Sequence, residues 1–267
     1  MKSGKVQSGS YAIHYVEQGQ GVPLVLLHGF LANASAWSPL VEQLSSHYRC
    51  ICIDLLGFGQ SDQPDIPFSV ETQVAIVRDV VQSLELSHYS LMGHSFGGWV
   101  AAAYALTYQA ELQDLVLVAP AGIRDRDPFN IRPYFYIPLV IPGPWVDVPL
   151  ALSYPWIEAA GFKRELQFFA KIRKYFVARP NATEQMLRRM FFPSDHAPIE
   201  TVDHRLHELQ VPTLVIAGMQ DQVIPFEHAE IYADRISSAE LIRLEDAKHD
   251  VHISYAADIS RHLMMRI

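Results

Sequence analysis

The residues best suited to covalent chemistry stand in one short run, Gly93-His94-Ser95-Phe96-Gly97-Gly98. A serine with glycines two positions away on either side can occupy a sharp, strained turn that lifts its hydroxyl clear of the backbone. The apolar run 89–92 precedes it and the Ala-rich stretch Ala101-Ala102-Ala103 follows, so this turn joins a strand to a helix. N–H groups opening that helix then face any negative charge that develops on a substrate. The same glycines would serve an ordinary packing turn; the strand-to-helix context is what favours a nucleophile.

A nucleophilic serine needs a base and a group that orients the base. His249 follows the last strand-like run, in Ala247-Lys248-His249-Asp250, and Asp221 follows the preceding one, in Gly218-Met219-Gln220-Asp221. Each of Ser95, Asp221 and His249 lies past the C-terminal end of a strand, where loops of a parallel sheet can converge. Asp246 is the rival acid, but it stands close to His249 in sequence and outside a strand-end turn. The loop His28-Gly29-Phe30-Leu31 is placed to complete an oxyanion site, with the backbone amides of Phe30 and Phe96 as its donors.

Other patterns carry less. His249 with His252, and His204 with His207, have spacings seen at metal sites, but no carboxylate completes either set. Gly57-Phe58-Gly59 lacks the third glycine of a dinucleotide fingerprint, and Asp54 reads as a brace for that loop. Asn181-Ala182-Thr183 is a glycosylation sequon that matters only to a secreted chain. No metal or cofactor is expected.

The elements that must hold these residues alternate. Runs 24–27, 50–53, 89–92, 115–118, 212–217 and 241–244 read as strands, several continuously apolar as in a sheet covered on both faces. Helical periodicity appears from Val70, capped by Ser69, with Val70, Val74, Val77, Val81 and Leu84 on one face. Further helices are expected over 97–108, 226–236 and 254–265, and two antiparallel strands around Val6 and 11–16. This order predicts an α/β fold built on a doubly wound, mostly parallel sheet.

One segment breaks the rhythm. Residues 122–205 hold 10 of 17 prolines and 14 of 29 aromatics, and carry net +3 against −11 for the remainder. So long a stretch inside a compact domain should carry its own helices, so it is expected as a helical cap inserted into a core of 1–121 and 206–267. Asn181 with Glu184 resembles a capping box, and Phe162, Leu166, Phe169, Ile172 and Phe176 recur at helical spacing. Its aromatics, Phe129, Tyr134, Trp145 and Trp156, together with Trp99 beside the nucleophile, are the candidate substrate-binding residues. Its basic side chains, among them Lys163, Arg164, Lys171, Arg173 and Lys174, are expected on solvated helix faces, with contact to anionic lipid as the alternative.

The 267 residues, 49% apolar and 19% charged, suffice for a large core and exclude a disordered chain. A formal charge of −8 argues against a nucleic-acid partner. The start lacks a signal peptide's apolar core, and no apolar run reaches membrane-spanning length. Cys50 and Cys52, two apart in one apolar run, are expected as buried free thiols in a cytoplasmic protein.

Taken together, HGF at 28–30, DLLGFGQSD at 54–62, GHSFGG at 93–98, DQVIP at 221–225 and His249 resemble the α/β-hydrolase superfamily over nearly the whole chain. The resemblance implies an eight-stranded sheet with a cap after the sixth strand, which is where 122–205 falls. It also implies Ser95 as nucleophile, His249 as base, Asp221 as its orienter, and Phe30 and Phe96 as oxyanion donors. Short stretches at 118–122 and 220–223 are similar to the monoacylglycerol-lipase and bacterial esterase branch. Haloalkane dehalogenases and epoxide hydrolases carry aspartate where Ser95 stands, and related lyases of the menaquinone pathway carry arginine where Trp99 stands. Lys248 replaces the family's usual glycine. The expected activity is therefore serine hydrolysis of apolar carboxylic esters. Carbon–carbon bond hydrolysis or peracid chemistry on the same residues, or ligand binding on a retained fold, are the alternatives.

Overall fold

The computed structural model describes residues 2–66, 69–124 and 201–266, with scattered positions between 148 and 178. Eight strands form one sheet: β1 (Lys2–Ser8), β2 (Tyr11–Gln18), β3 (Val22–Leu27), β4 (Tyr48–Ile53), β5 (Tyr89–His94), β6 (Leu112–Val118), β7 (Thr213–Gly218) and β8 (Ala239–Leu244). Their order is β1-β2-β4-β3-β5-β6-β7-β8. β1 pairs antiparallel with β2 and β2 with β4, while all remaining neighbours run parallel. The direction of winding reverses at β3, which lies between β4 and β5 although both follow it in sequence. A crevice opens beyond the C-terminal ends of strands at such a reversal. That is where His28 to Leu31 and Ser95 emerge.

Central strands carry no alternation because both faces are covered. Every residue of β5 and β7 is buried, as are Leu24 to Leu27 of β3. The described helices are α1 (Ser38–Leu44), α2 (Val70–Ser83), α3 (Phe96–Tyr108), α4 (Phe226–Arg235), α5 (Val251–Ser254) and α6 (Ala256–Met264). α1 was not expected from the sequence. It is only seven residues long, enters through a turn capped by Asn33 and carries an early proline, so it shows too few apolar repeats to register. The helix expected over 254–265 is α6, and a short further helix, α5, precedes it and ends before Tyr255.

Ser69 caps α2 as expected, accepting from the Thr72 N–H. The buried face is broader than the valine series: Gln73, Ile76 and Val80 are buried and Val74 is only partly so. Gln73 is buried because its amide clamps the Leu56 backbone, accepting from its N–H at 3.2 Å and donating to its carbonyl at 2.9 Å. Asp54 braces the same loop, accepting from the Ala34 N–H at 2.6 Å, the Gln60 N–H at 2.8 Å and His14 at 2.8 Å. Cys50 and Cys52 are buried and free, and burial pushes both thiols far up, Cys50 to about 12.

By its contacts the chain divides into two compact units, one of 1–63, 69–124 and 200–267, the other of 64–68 and 125–199. In the second, positions 148, 152–153, 155–156, 158–159, 170, 173–174 and 177 are helical. Arg173 is 3% exposed and engaged, which corrects the solvated reading for that residue, while Lys174 is exposed. A guanidinium leaves water only where partners replace its hydration. The sequon, the Asn181–Glu184 pattern and the phenylalanine series from Phe162 lie outside the described residues, as do Lys163, Arg164 and Lys171.

Candidate active site

Ser95 sits between β5 and α3 with φ +53° and ψ −116°, a conformation L-residues rarely adopt. Strain of this kind persists only where the surroundings fix it, at a cost of about 1–3 kcal/mol. Here the end of β6 does so. The Ser95 N–H donates to the Val118 carbonyl at 2.9 Å, and the Ser95 carbonyl accepts from Ala121 at 3.0 Å and Trp99 at 3.1 Å. The flanking glycines are steric necessities. A Cβ on Gly93 would lie 2.1 Å from the Gly97 carbonyl oxygen, and one on Gly97 would lie 2.2 Å from that of Leu27.

The loops after β7 and β8 are tied together. Gln220 donates to the Ala247 carbonyl at 3.0 Å and Met219 to that of Leu244 at 2.9 Å, with Gly218 packed too closely on Ala247 for any side chain. This joins Asp221 to His249. His249 Nδ1 lies 2.7 Å from Asp221 Oδ2, and its Nε2 lies 3.0 Å from Ser95 Oγ. The other Asp221 oxygen accepts from the Val223 N–H at 2.7 Å and the Ile224 N–H at 3.0 Å. The carboxylate is 2% exposed and fully engaged. An acceptor at Nδ1 places the neutral imidazole's proton there, leaving Nε2 free to accept from the serine. Asp246, the rival acid, is exposed.

Gly29 brings the backbone after β3 against Ser95: a Cβ there would meet Ser95 Cβ at 3.3 Å and His94 Nδ1 at 2.9 Å. His28 stiffens this loop, donating from Nδ1 to the Gly29 carbonyl at 2.7 Å and accepting at Nε2 from Leu55 at 3.1 Å. Phe96 opens α3, so its N–H has no acceptor within the helix. Phe30 and Phe96 thus flank Ser95 from two loops, and their rings meet edge to face at 6.2 Å. Phe58 packs against Phe30 at 5.3 Å and Trp99 against Phe96 at 6.2 Å, extending an aromatic wall.

The full-length pattern of these parts is that of one family. A model of the alpha/beta hydrolase family matches residues 24–261. The chain belongs to the alpha/beta hydrolase family. Among relatives of this alpha/beta hydrolase is the 2-hydroxy-6-oxo-6-(2'-aminophenyl)hexa-2,4-dienoic acid hydrolase of Metapseudomonas resinovorans, 27% identical over 88% of this chain and 80% of that one. The 2-hydroxymuconate semialdehyde hydrolase of a Pseudomonas strain is 28% identical over 90% and 85%. In fold it is similar to a thermophilic esterase from Thermogutta terrifontis, with a TM-score of 0.72, 23% identity, and 99% and 97% coverage.

Two residues in this alpha/beta hydrolase escaped the sequence reading. Phe58 was passed over as part of a failed glycine fingerprint. His94 was passed over as a filler of the serine motif, yet its Nε2 donates to the His249 carbonyl at 2.9 Å. No spacing rule exposes a side chain that serves another residue's backbone. Of the candidate substrate contacts, Trp99 is half-buried in the aromatic wall and Trp156 is 79% exposed. Phe129, Tyr134 and Trp145 lie outside the described residues.

Proposed function

We propose that this alpha/beta hydrolase is a serine hydrolase of carboxylic esters whose acyl or alcohol part is apolar. The hydrogen-bonded line Ser95–His249–Asp221 beside half-buried Phe30, Phe96 and Trp99 carries this reading. Ser95 Oγ attacks the ester carbon as its proton passes to His249 Nε2, and the carbonyl π pair moves onto oxygen near the Phe30 and Phe96 amides. Collapse breaks the C–O bond, and the leaving alkoxide takes the proton from His249. Water, deprotonated by the same nitrogen, then attacks the acyl-enzyme and releases the acid. Asp221 stabilises the imidazolium of each step.

Segment 122–205 is assigned to selecting the apolar portion, on its density of aromatics. A p-nitrophenyl ester series from acetate to laurate, below micellar concentrations, tests this. Each CH₂ buried in the transition state is worth about 0.8 kcal/mol, so kcat/KM should climb about fourfold per carbon over the first several. A flat profile, or a steep preference for acetate, overturns it.

The names of the two relatives favour a second reading, hydrolysis of a carbon–carbon bond beside a ketone. Attack by Ser95 is common to both; the leaving group would then be a carbanion stabilised as a dienolate. Turnover of a 2-hydroxy-6-oxohexa-2,4-dienoate without ester turnover would select it. Fluorophosphonate labelling of the wild type, lost in Ser95→Ala, separates either enzyme from a binding protein.

A further inference from the structure

A planar trans peptide points its N–H and its carbonyl in opposite directions, so whatever holds the carbonyl also aims the N–H. The Phe96 N–H, the proposed oxyanion donor of α3, shares its peptide with the Ser95 carbonyl. That carbonyl accepts from the Trp99 N–H at 3.1 Å, as the first turn of α3 requires. It also accepts from the Ala121 N–H at 3.0 Å, which no helix requires. Ala121 therefore stands directly behind the donor.

Ala121 is beyond the sheet, since β6 ends at Val118. The chain around it is strained, with φ +43° at Ala119 and +100° at Gly122. Such conformations persist only where the surroundings impose them. Ala119 donates to the Ile216 carbonyl at 2.8 Å, and the Gly122 carbonyl accepts from Val202 at 2.9 Å. Gly122 also lies so close to the Trp99 indole that a Cβ would meet its Cδ1 at 2.5 Å. Ala121 itself is held by Tyr232 of α4, whose hydroxyl donates to the Ala121 carbonyl at 2.7 Å. Tyr232 is fully buried, and burial with Asp203 nearby pushes its phenol far up, so it keeps its proton and stays a donor. A buried hydroxyl needs an acceptor wherever it lies. This one takes the carbonyl of the residue whose N–H holds Ser95.

We propose that Tyr232 is a positioning residue: by holding Ala121 it fixes the Ser95 carbonyl and so aims the Phe96 N–H at the oxygen on which negative charge develops. This rests on the reading of Phe96 as an oxyanion donor. The Tyr232 hydroxyl is engaged by Ala121, so it acts through the backbone and not on the substrate.

Ser95-Phe96 is the only Ser-Phe pair in the sequence. Full-length protein carrying carbonyl-¹³C serine and ¹⁵N phenylalanine therefore gives a single carbonyl-to-amide correlation signal in NMR, that of this peptide. Tyr232→Phe keeps the ring and removes only the hydroxyl. Its signal is expected to move from the wild-type position in both the carbonyl and the amide dimensions. On p-nitrophenyl butyrate its kcat should fall about tenfold with KM near the wild-type value, because a misaimed donor weakens binding of the transition state and not of the substrate. Arg235→Gln is the control. Arg235 lies on the same helix but donates to the Asp203 carbonyl at 2.6 Å, so its loss loosens α4 without touching Ala121. Signal and kcat should stay at the wild-type values there. An unmoved signal in Tyr232→Phe, an unchanged kcat, or equal changes in both variants overturns the proposal, the last because α4 would then act through general stability. A wild type that turns over no ester refutes the ester reading instead, while the signal still decides whether Tyr232 holds this peptide.

Discussion

The side chain of His94 holds the main chain of His249: His94 Nε2 donates to the His249 carbonyl at 2.9 Å. The residue preceding Ser95 thus holds the loop that carries His249, across the sheet from β5 to the segment after β8. Burial keeps the His94 imidazole well below its usual pKa, so it is a neutral donor with a single proton. Its ring lies against that of His252 with centroids 3.8 Å apart, which leaves it little freedom to rotate. A contact outside Ser95, Asp221 and His249 thus helps to hold His249 near Ser95.

His94→Phe should lower kcat about tenfold while KM stays near the wild-type value, the equivalent of about 1.4 kcal/mol for one lost hydrogen bond that orients His249. Gln can offer an N–H in place of Nε2–H, so His94→Gln should recover part of the loss. Equal activity in all three proteins would show that His249 is positioned without His94. A change in KM alone would place His94 in substrate binding instead.

Asp221→Asn should lower kcat by about 10⁴ if the carboxylate sets the imidazole tautomer, with circular dichroism unchanged. Ser95→Ala should abolish turnover and covalent labelling while leaving the fold intact, since the hydroxyl contributes little packing. A small loss at Asp221 with a large one at Asp246 would move the acid to the exposed rival.

The sheet, and the loops that bring Ser95, Asp221 and His249 into one hydrogen-bonded line, were legible because backbone geometry demanded particular residue types there. Ser95 needs Gly93 and Gly97 for steric reasons, and buried parallel strands need unbroken apolar runs. Legibility fades where the demand is tertiary. Gln73 interrupts an apolar helix face because it clamps Leu56 from far along the chain, and His94 looks like a spacer until His249 is folded onto it. α1 failed for another reason: a seven-residue helix offers too few repeats for a period to emerge.

Two glycine substitutions separate steric demand from backbone strain. Gly97→Ala puts a methyl 2.2 Å from the Leu27 carbonyl oxygen, and neither α3 nor β3 can yield without moving Ser95. A loss of about 3 kcal/mol or more, or no folded protein, is expected. Gly9 has φ +56° but nothing within 4 Å of an added Cβ. Gly9→Ala should cost only about 1 kcal/mol, from the left-handed backbone alone. Comparable urea midpoints for the two variants would refute the packing argument.

Stability should fall on mild acidification, and His252 supplies a specific share of that fall. Burial lowers its pKa from 6.5 to about 4, with His249 and His28 acting in the same sense and Asp250 opposing. The side chain is 4% exposed and presses edge-on against Trp37 at 5.0 Å, so protonation brings no solvation in the folded state. The unfolded chain takes up the proton below pH 6.5, whereas the folded chain does so only near pH 4. The stability from keeping this ring neutral is therefore complete above pH 6.5 and lost as pH falls towards 4. The loss amounts to about 3 kcal/mol once the pH is below both values. His252→Gln removes the titration whatever it does to packing at neutral pH. Unfolding free energy measured from pH 7 to pH 4.5 should decline less steeply in the variant than in the wild type. Carboxylates titrating in this range contribute to both proteins and cancel in the difference. Parallel declines would mean that His252 protonates freely in the folded state and that its burial is not maintained in solution.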